Sequence, residues 1–287
     1  MTGRLLAALA CAALLGACTQ TKEAAQATPA APDIKLYTMN CGEMHTSDAD
    51  MFADDGAYKN VAKDLIVPCY LIRHPQGDLM WDTGLPQGLA DLPNGITEGT
   101  YQMRMPHRLT DQLAQVGLTP ADIEYVSVSH SHGDHIGSAA LFTSATWIVD
   151  VDERAHAFRP EARADIERFG YAPLQTRPTR LIEGDADYDV FGDGSVKVIQ
   201  APGHTPGHTV LLVQLPHAGS VLLTGDLWHI AESRAARRVP RFNTDRAQTL
   251  ATMDKVERIA RETGARVVRE HVPEDFAAMP AFPAYMN

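Results

Sequence analysis

From residue 34 onward, apolar positions come in runs of strand length separated by turns rich in Gly, Pro and Asp. Only one stretch, near the C-terminus, holds a helical period over many residues. The runs at 34–37, 65–73 and 78–82 predict strands, the latter two joined as a hairpin by His74-Pro75-Gln76-Gly77. Further strands are predicted at 123–128, 145–151, 196–200, 220–223 and 265–269, with a hairpin turn at Gly192-Asp193-Gly194. Leu109, Leu113 and Val116 share one helical face and Gly117 follows them, so 109–116 reads as a short helix. Residues 153–169 read as a charged, partly helical excursion. The long helix has Asn243 or Thr244 as its cap, Ala247, Leu250, Met253, Val256, Ile259 and Ala260 as its buried stripe, and Gly264 as its stop. Strands mixed with helices predict an α/β domain.

The region before residue 34 follows a different pattern. Arg4, an apolar stretch over 5–15 and Leu15-Gly16-Ala17-Cys18 read as a bacterial lipoprotein-type signal over 1–18. The apolar stretch is too short to span a bilayer as a mature helix. Residues 19–33, rich in Ala, Thr, Gln and Pro, read as a flexible tether, leaving a single domain at 34–287. This organisation implies an exported protein, periplasmic or held on a membrane through a lipid on Cys18. Of the other cysteines, Cys11 leaves with the signal, and Cys41 and Cys69 are either a disulfide or two buried thiols. The formal charge of −11 becomes −12 once the single base Arg4 is lost, because no acid precedes Cys18. A surface of that sign disfavours nucleic acid as a partner.

The densest chemistry lies at Ser129-His130-Ser131-His132-Gly133-Asp134-His135, directly after a predicted strand. Imidazole and carboxylate together suit zinc-like metals. His130 and His132, two apart where a strand runs out, project to one side. Asp134 and His135 fall where a helix can start, capped by Gly133 or Asp134 and backed by Ile136, Ala139, Ala140 and Leu141. The two pairs would thus aim at neighbouring points, as in two-metal sites with ions about 3.5–4 Å apart. More candidate ligands follow later strands: His204 in a Gly/Pro-rich turn, Asp226 after Thr224-Gly225, and His271 after Glu270.

With Trp81-Asp82-Thr83-Gly84, the cluster from His130 to His135, Gly203-His204, Gly225-Asp226 and His271 in view, the chain resembles the metallo-β-lactamase fold, and within it the N-acyl-homoserine lactonases. The resemblance covers essentially everything from Ile34 onward. It implies an αββα sandwich holding two divalent ions, by default Zn2+: His130, His132 and His204 on the first, Asp134, His135 and His271 on the second, and Asp226 bridging them. Asp82 would support the metal loops through hydrogen bonds. The implied reaction is hydrolytic opening of a lactone ring by a water made acidic between the ions. Asp134 is the implied proton carrier. Where well-known lactonases place a tyrosine at the substrate carbonyl, this chain has His229, beside Trp228.

The implied substrate is an acyl lactone, with other ester, thioester or organophosphate hydrolysis as the alternative. A glyoxalase II would carry an appended helical domain, for which the tail after His271 leaves little room, and β-lactamases generally lack the bridging Asp226. Tyr101, Met103 and Met105, in the irregular stretch 85–107, are candidates for a wall around an apolar tail or for core filling. His208 reads as a structural hydrogen-bonding residue, His217 and His156 as surface residues, and Phe282, Pro283 and Tyr285 as packing. Residues 238–242 form a candidate loop for a homodimer contact.

Overall fold

The computed structural model describes Met1, residues 32–184 and residues 186–287. The expected signal at 1–18, its Cys18 and most of the tether at 19–33 lie outside the described residues. Pro32–Asn287 forms one compact unit.

The first sheet takes its strands in chain order: β1 (Lys35–Thr46), β2 (Lys63–His74), β3 (Gly77–Trp81), β4 (Ile96–Glu98), β5 (Tyr101–Arg104), β6 (Tyr125–Ser127), β7 (Thr146–Asp150) and β8 (Thr179–Ile182). Its spatial order is β4-β5-β1-β2-β3-β6-β7-β8. The second sheet comprises β9 (Tyr188–Asp189), β10 (Val196–Gln200), β11 (Thr209–Leu215), β12 (Gly219–Leu223) and β13 (Arg266–Val268), ordered β13-β12-β11-β10-β9. The sheets pack face to face through Leu36, Tyr70, Ile72, Leu79 and Trp81 on one side and Val198, Leu211, Val213, Val221 and Leu223 on the other. Intervening residues of the same strands point outward and are buried again. Met39, Leu71, Val126 and Trp147 meet α1 (Leu109–Gln115), α2 (Gly133–Ile136), α3 (Val151–Ala157) and α4 (Arg163–Phe169), while Ile199, Val210, Leu212 and Leu222 lie in the other outer layer. Covered on both faces, these strands read as apolar runs and not as alternations. Ala231–Ala236 forms α5, Arg246–Thr263 forms α6, which covers the second sheet, and Pro273–Ala277 forms α7. The result is the expected αββα sandwich.

Several boundaries differ from the sequence expectation. β1 runs on to Thr46, and the stretch read as irregular contains the β4/β5 hairpin, paired through Ile96 to Met103 and docked on β1 through Arg104 to Glu43. These strands are half-buried or exposed at the sheet edge, so they lack an apolar run. The cap of α6 is Asp245, whose side chain accepts the Gln248 N–H, and not Asn243 or Thr244. Thr249 and Thr252 join the buried face of α6, while Ala247 is exposed. At α2 the capping position is His132, with no side-chain cap bond. Cys41 and Cys69 form a disulfide, with Cα atoms 5.8 Å apart. The tail packs as expected, with Tyr37 against Phe282 and Tyr285, while His217 is exposed and His156 half-buried.

Candidate metal centre

Strand ends on one rim of the sandwich supply the site: β3 leads to Asp82, β6 to His130, β10 to His204, β12 to Asp226 and β13 to His271. Parallel pairing of β3 with β6 and of β12 with β13 sets consecutive strand ends beside one another. Chain segments more than a hundred residues apart are thereby brought within bonding distance.

Two donor groups form. In the first, His130 Nε2 lies 2.8 Å from His132 Nδ1, and His204 Nε2 lies 3.2 and 3.1 Å from those two atoms. Asp226 Oδ2 completes it at 3.4 Å from His130 and 3.2 Å from His204. In the second, Asp226 turns its other oxygen, Oδ1, to His135 Nε2 at 3.2 Å and His271 Nε2 at 2.8 Å. Asp134 Oδ2 stands 3.8 and 3.6 Å from the same two nitrogens. Each oxygen of Asp226 therefore serves one group.

The donor sets fit cations. Three neutral imidazole nitrogens in a triangle cannot all be paired by protons, because each is either donor or acceptor and two of a kind must meet. A central cation resolves this. Donors around a tetrahedral ion with bonds of 2.0–2.1 Å stand about 3.3–3.4 Å apart, close to the spacings of the first group. In the second group His135 Nε2 and Asp226 Oδ1 are buried and make no well-formed hydrogen bond, so without a metal only the charge of the flanking imidazoles offsets their burial, a place that a cation can take.

Protonation follows the same division. Burial drives His130 and His132 well below the ordinary imidazole range, which leaves them neutral, the form that ligates. Burial opposes the ionised carboxyl of Asp226, but His229, His271, His135 and His130 outweigh it and hold the group well below the usual carboxylate range. For His135 and His271 burial is outweighed by Asp226 and neighbouring carboxylates, so both are raised, His271 to about 9.

Surrounding groups fix the ligands. Asp82 Oδ1 accepts the Ser129 N–H at 2.6 Å and its Oδ2 faces His135 Nδ1 at 3.1 Å, while Ser129 Oγ lies 3.1 Å from both His130 Nδ1 and His135 Nδ1. Thr83 Oγ1 donates to the His135 carbonyl. His271 Nδ1 donates to the Ile66 carbonyl at 2.8 Å, and His204 Nδ1 meets Asn243 Oδ1 at 2.8 Å. Glu153, which bonds the first two metal loops, carries no signal in the sequence, and Asn243 suggests only a helix cap there: their partners lie 22, 52 and 39 residues away. Glu270 is buried with neither carboxylate oxygen partnered, close to Asp82 and His135.

His208 uses both ring nitrogens structurally, Nδ1 donating to the Ala201 carbonyl at 2.9 Å and Nε2 accepting the Asp226 N–H at 3.0 Å. Burial holds it near pKa 3 and holds His229 near 4. His229 Nε2 is 2.9 Å from Asp226 Oδ2, its Nδ1 has no partner, and its ring stacks on His271. Phe52 and Phe242 pack on His229 at ring distances of 5.1 and 5.4 Å, and Phe242 reaches His204 and His132 as well. Of the residues considered for an apolar wall, Met105 is buried in the core under the first sheet, and Tyr101 packs edge-on against Phe52, which itself packs on His229.

Residues 62–268 match the family profile described as Metallo-beta-lactamase superfamily. The chain is 32% identical to the N-acyl homoserine lactonase AttM of Azorhizobium caulinodans, over 89% of this chain and 99% of that protein. Among solved structures, a mutant of B. thuringiensis AiiA with N-decanoyl-L-homoserine bound at its active site superposes with a TM-score of 0.74 at 27% identity, covering 88% of this chain and 98% of that one. An N-acyl homoserine lactone hydrolase with the product N-hexanoyl-L-homoserine at its catalytic metal centre gives 0.73 at 27%, with coverages of 88% and 98%.

Proposed function

The chain belongs to the metallo-beta-lactamase superfamily, and from that premise we propose that it is a metal-dependent hydrolase opening the lactone ring of N-acyl homoserine lactones. The observation that carries this reading is Asp226 presenting one oxygen to each of two donor groups, in a chain similar to named lactonases over nearly its whole length.

We assign two divalent ions, Zn2+ by the chemistry of a His-rich site, to His130, His132, His204 and Asp226 on one side and Asp134, His135, His271 and Asp226 on the other. When bound, such ions polarise a carbonyl and make water acidic near neutral pH. The protein's own groups supply the rest. His229 holds its Nε2–H on Asp226 Oδ2, where an incoming carbonyl oxygen would share it. Asp134 has the most exposed side chain of the carboxylates at the centre, at 20% against 4% for Asp226, so it is the one that can follow a leaving alkoxide and return a proton.

An apolar tail has a place to lie. A cavity of about 340 Å3 opens beside His229 and His271, with Leu65, Ile230, Val272 and Pro273 in its wall and the charged Lys63, Asp64, Glu232 and Glu274 also lining it. It shares Asp64, Leu65 and Pro273 with a second, of about 650 Å3, that continues over Met44 and Ile66. Location is proposed from the leader: export, with membrane attachment through a lipid on Cys18. Among the described residues no helix is long and apolar enough to cross a bilayer. The disulfide suits an oxidising compartment. A homodimer through residues 238–242 would have to share Arg238 and Arg241, which pair with Asp55 and Asp50 within the chain.

The test is turnover of short- and long-chain acyl-homoserine lactones beside a simple γ-lactone, S-lactoylglutathione, a phosphotriester and a cephalosporin. Asp226→Ala should lose all turnover on every substrate. His229→Phe should lower kcat on the lactones about 10²-fold with little change in KM, the size expected for a lost oxyanion donor. Full activity in Asp226→Ala, or a preferred substrate other than the lactones, would contradict the respective part of the proposal.

A further inference from the structure

We infer that Glu153 is a positioning residue that clamps together the two loops carrying His130, His132 and His204, and so sets the affinity of that donor group alone; the inference rests on the metal-binding reading above. Glu153 lies on α3, outside every segment that supplies a donor, and is 1% exposed. Its carboxylate accepts from both loops. Oε1 takes the Ser131 backbone N–H at 2.7 Å and the Ser131 hydroxyl at 2.6 Å. Oε2 takes the Thr205 hydroxyl at 2.5 Å and the Gly207 N–H at 3.3 Å. Ser131 stands between His130 and His132, and Thr205 follows His204. All three histidines of the first group thus lie within one residue of an atom bonded to Glu153.

The clamp is itself held in place. Asp150 caps α3, accepting the Asp152 N–H at 2.8 Å and the Glu153 N–H at 3.4 Å, and its other oxygen accepts from Gln200 Nε2 at 3.0 Å, at the end of the strand that leads to His204. Gly207 lets the loop close on the helix: a Cβ there would meet Glu153 N at 2.2 Å and Glu153 Cβ at 2.7 Å. The second donor group has supports of its own, Asp82 facing His135 Nδ1 and the Ile66 carbonyl accepting from His271, while Ser129 Oγ stands between His130 and His135 and serves both groups. Glu153 bonds to no member of the second group. A helix packed against the site for stability alone would be expected to tie one loop; Glu153 spans two, one on each oxygen, and the His130–His204 spacing depends on their separation.

The chemistry needs two acceptors that each take donors, which a carboxylate provides and an amide does not. Glu153→Gln keeps size and shape but turns one end into a donor facing N–H and O–H groups, so one loop is released. In a chelator competition with the full-length, zinc-loaded protein, the two release steps are assigned by His204→Ala and His271→Ala, each of which removes one. Glu153→Gln should weaken the His204-dependent step by tenfold to a hundredfold, the range for lost outer partners of metal ligands, and move the His271-dependent step by less than threefold. Thr205→Val, which removes one bond and leaves the carboxylate in place, should weaken the same step by a smaller factor. The melting temperature of the metal-free protein separates this from general destabilisation. Equal weakening of both steps in parallel with a fall in that temperature, or no change in either, would overturn the clamp. A wild-type chain that takes up no zinc would instead overturn the metal-binding reading beneath it.

Discussion

At the scale of residues, the centre depends on contacts that leave no room for an added atom. Gly225 precedes Asp226 with φ +48°, and a Cβ there would lie 2.6 Å from His208 Nε2, the atom that accepts the Asp226 N–H. Gly225→Ala should therefore turn Asp226 out of line, with metal content and turnover falling at least tenfold while the circular dichroism spectrum stays native; retained metal and turnover would refute the role given to His208. Protons give a second test. His271 sits near pKa 9 and His135 is also raised, so at neutral pH both are protonated in the metal-free protein and a metal must displace those protons. Apparent affinity on that side should rise with pH between about 7 and 9, by up to tenfold per unit for each proton displaced. Calorimetry in buffers of different ionisation enthalpy should register the released protons, and a pH-independent affinity would exclude them. The proposed ligands were legible in the sequence because dense His and Asp after strand ends have few other uses. Glu153 and Asn243 were not, since a lone polar residue gains meaning only from partners that the fold brings to it.

At the scale of elements, the long helix shows both what patterning reveals and where it stops. Its existence and its Gly264 stop follow from the 3.6-residue period, but its buried face includes Thr249 and Thr252 because their hydroxyls are bonded, Thr252 Oγ1 donating to the Pro202 carbonyl at 2.7 Å and Thr249 Oγ1 to that of Asp245 at 2.7 Å. A hydropathy pattern treats a bonded threonine as surface. Asp245 accepts the Gln248 N–H at the helix start, and Asp245→Ala should cost about 1 kcal/mol, read from denaturant midpoints at constant m value; no shift would exclude it as the cap. The β4/β5 hairpin has a weak signal for a related reason: its strands are three and four residues long and none of their residues is fully buried, so they form no apolar run. The segment at Asp50–Phe52 that brings Phe52 to His229 is held by pairs such as Asp50 with Arg241 and Asp54 with Arg246, interactions between residues nearly two hundred positions apart.

At the scale of the whole molecule, the order of apolar runs and turns was sufficient to predict an α/β architecture, and the metal motifs selected one fold among those that share it. Two sheets each covered by helices explain why so many strands read as continuous apolar runs. The sequence left the Cys41–Cys69 pairing open because it depends on a distance, and the fold places the two Cα atoms 5.8 Å apart across β1 and β2. Closing a loop with a sequence separation of 28 should stabilise the domain by about 3–4 kcal/mol, which the double variant Cys41→Ala/Cys69→Ala would lose in urea unfolding; an unchanged midpoint would mean the link is absent in solution. The measurement that bears most directly on the whole account is hydrolysis of a long-chain N-acyl homoserine lactone by the purified domain before chelation, after chelation and after zinc is returned. The account predicts ring opening that disappears with the metal and returns with it, faster than on any other substrate class in the panel. Ring opening that persists in the metal-free protein, or a zinc-loaded protein inert toward these lactones, would contradict it.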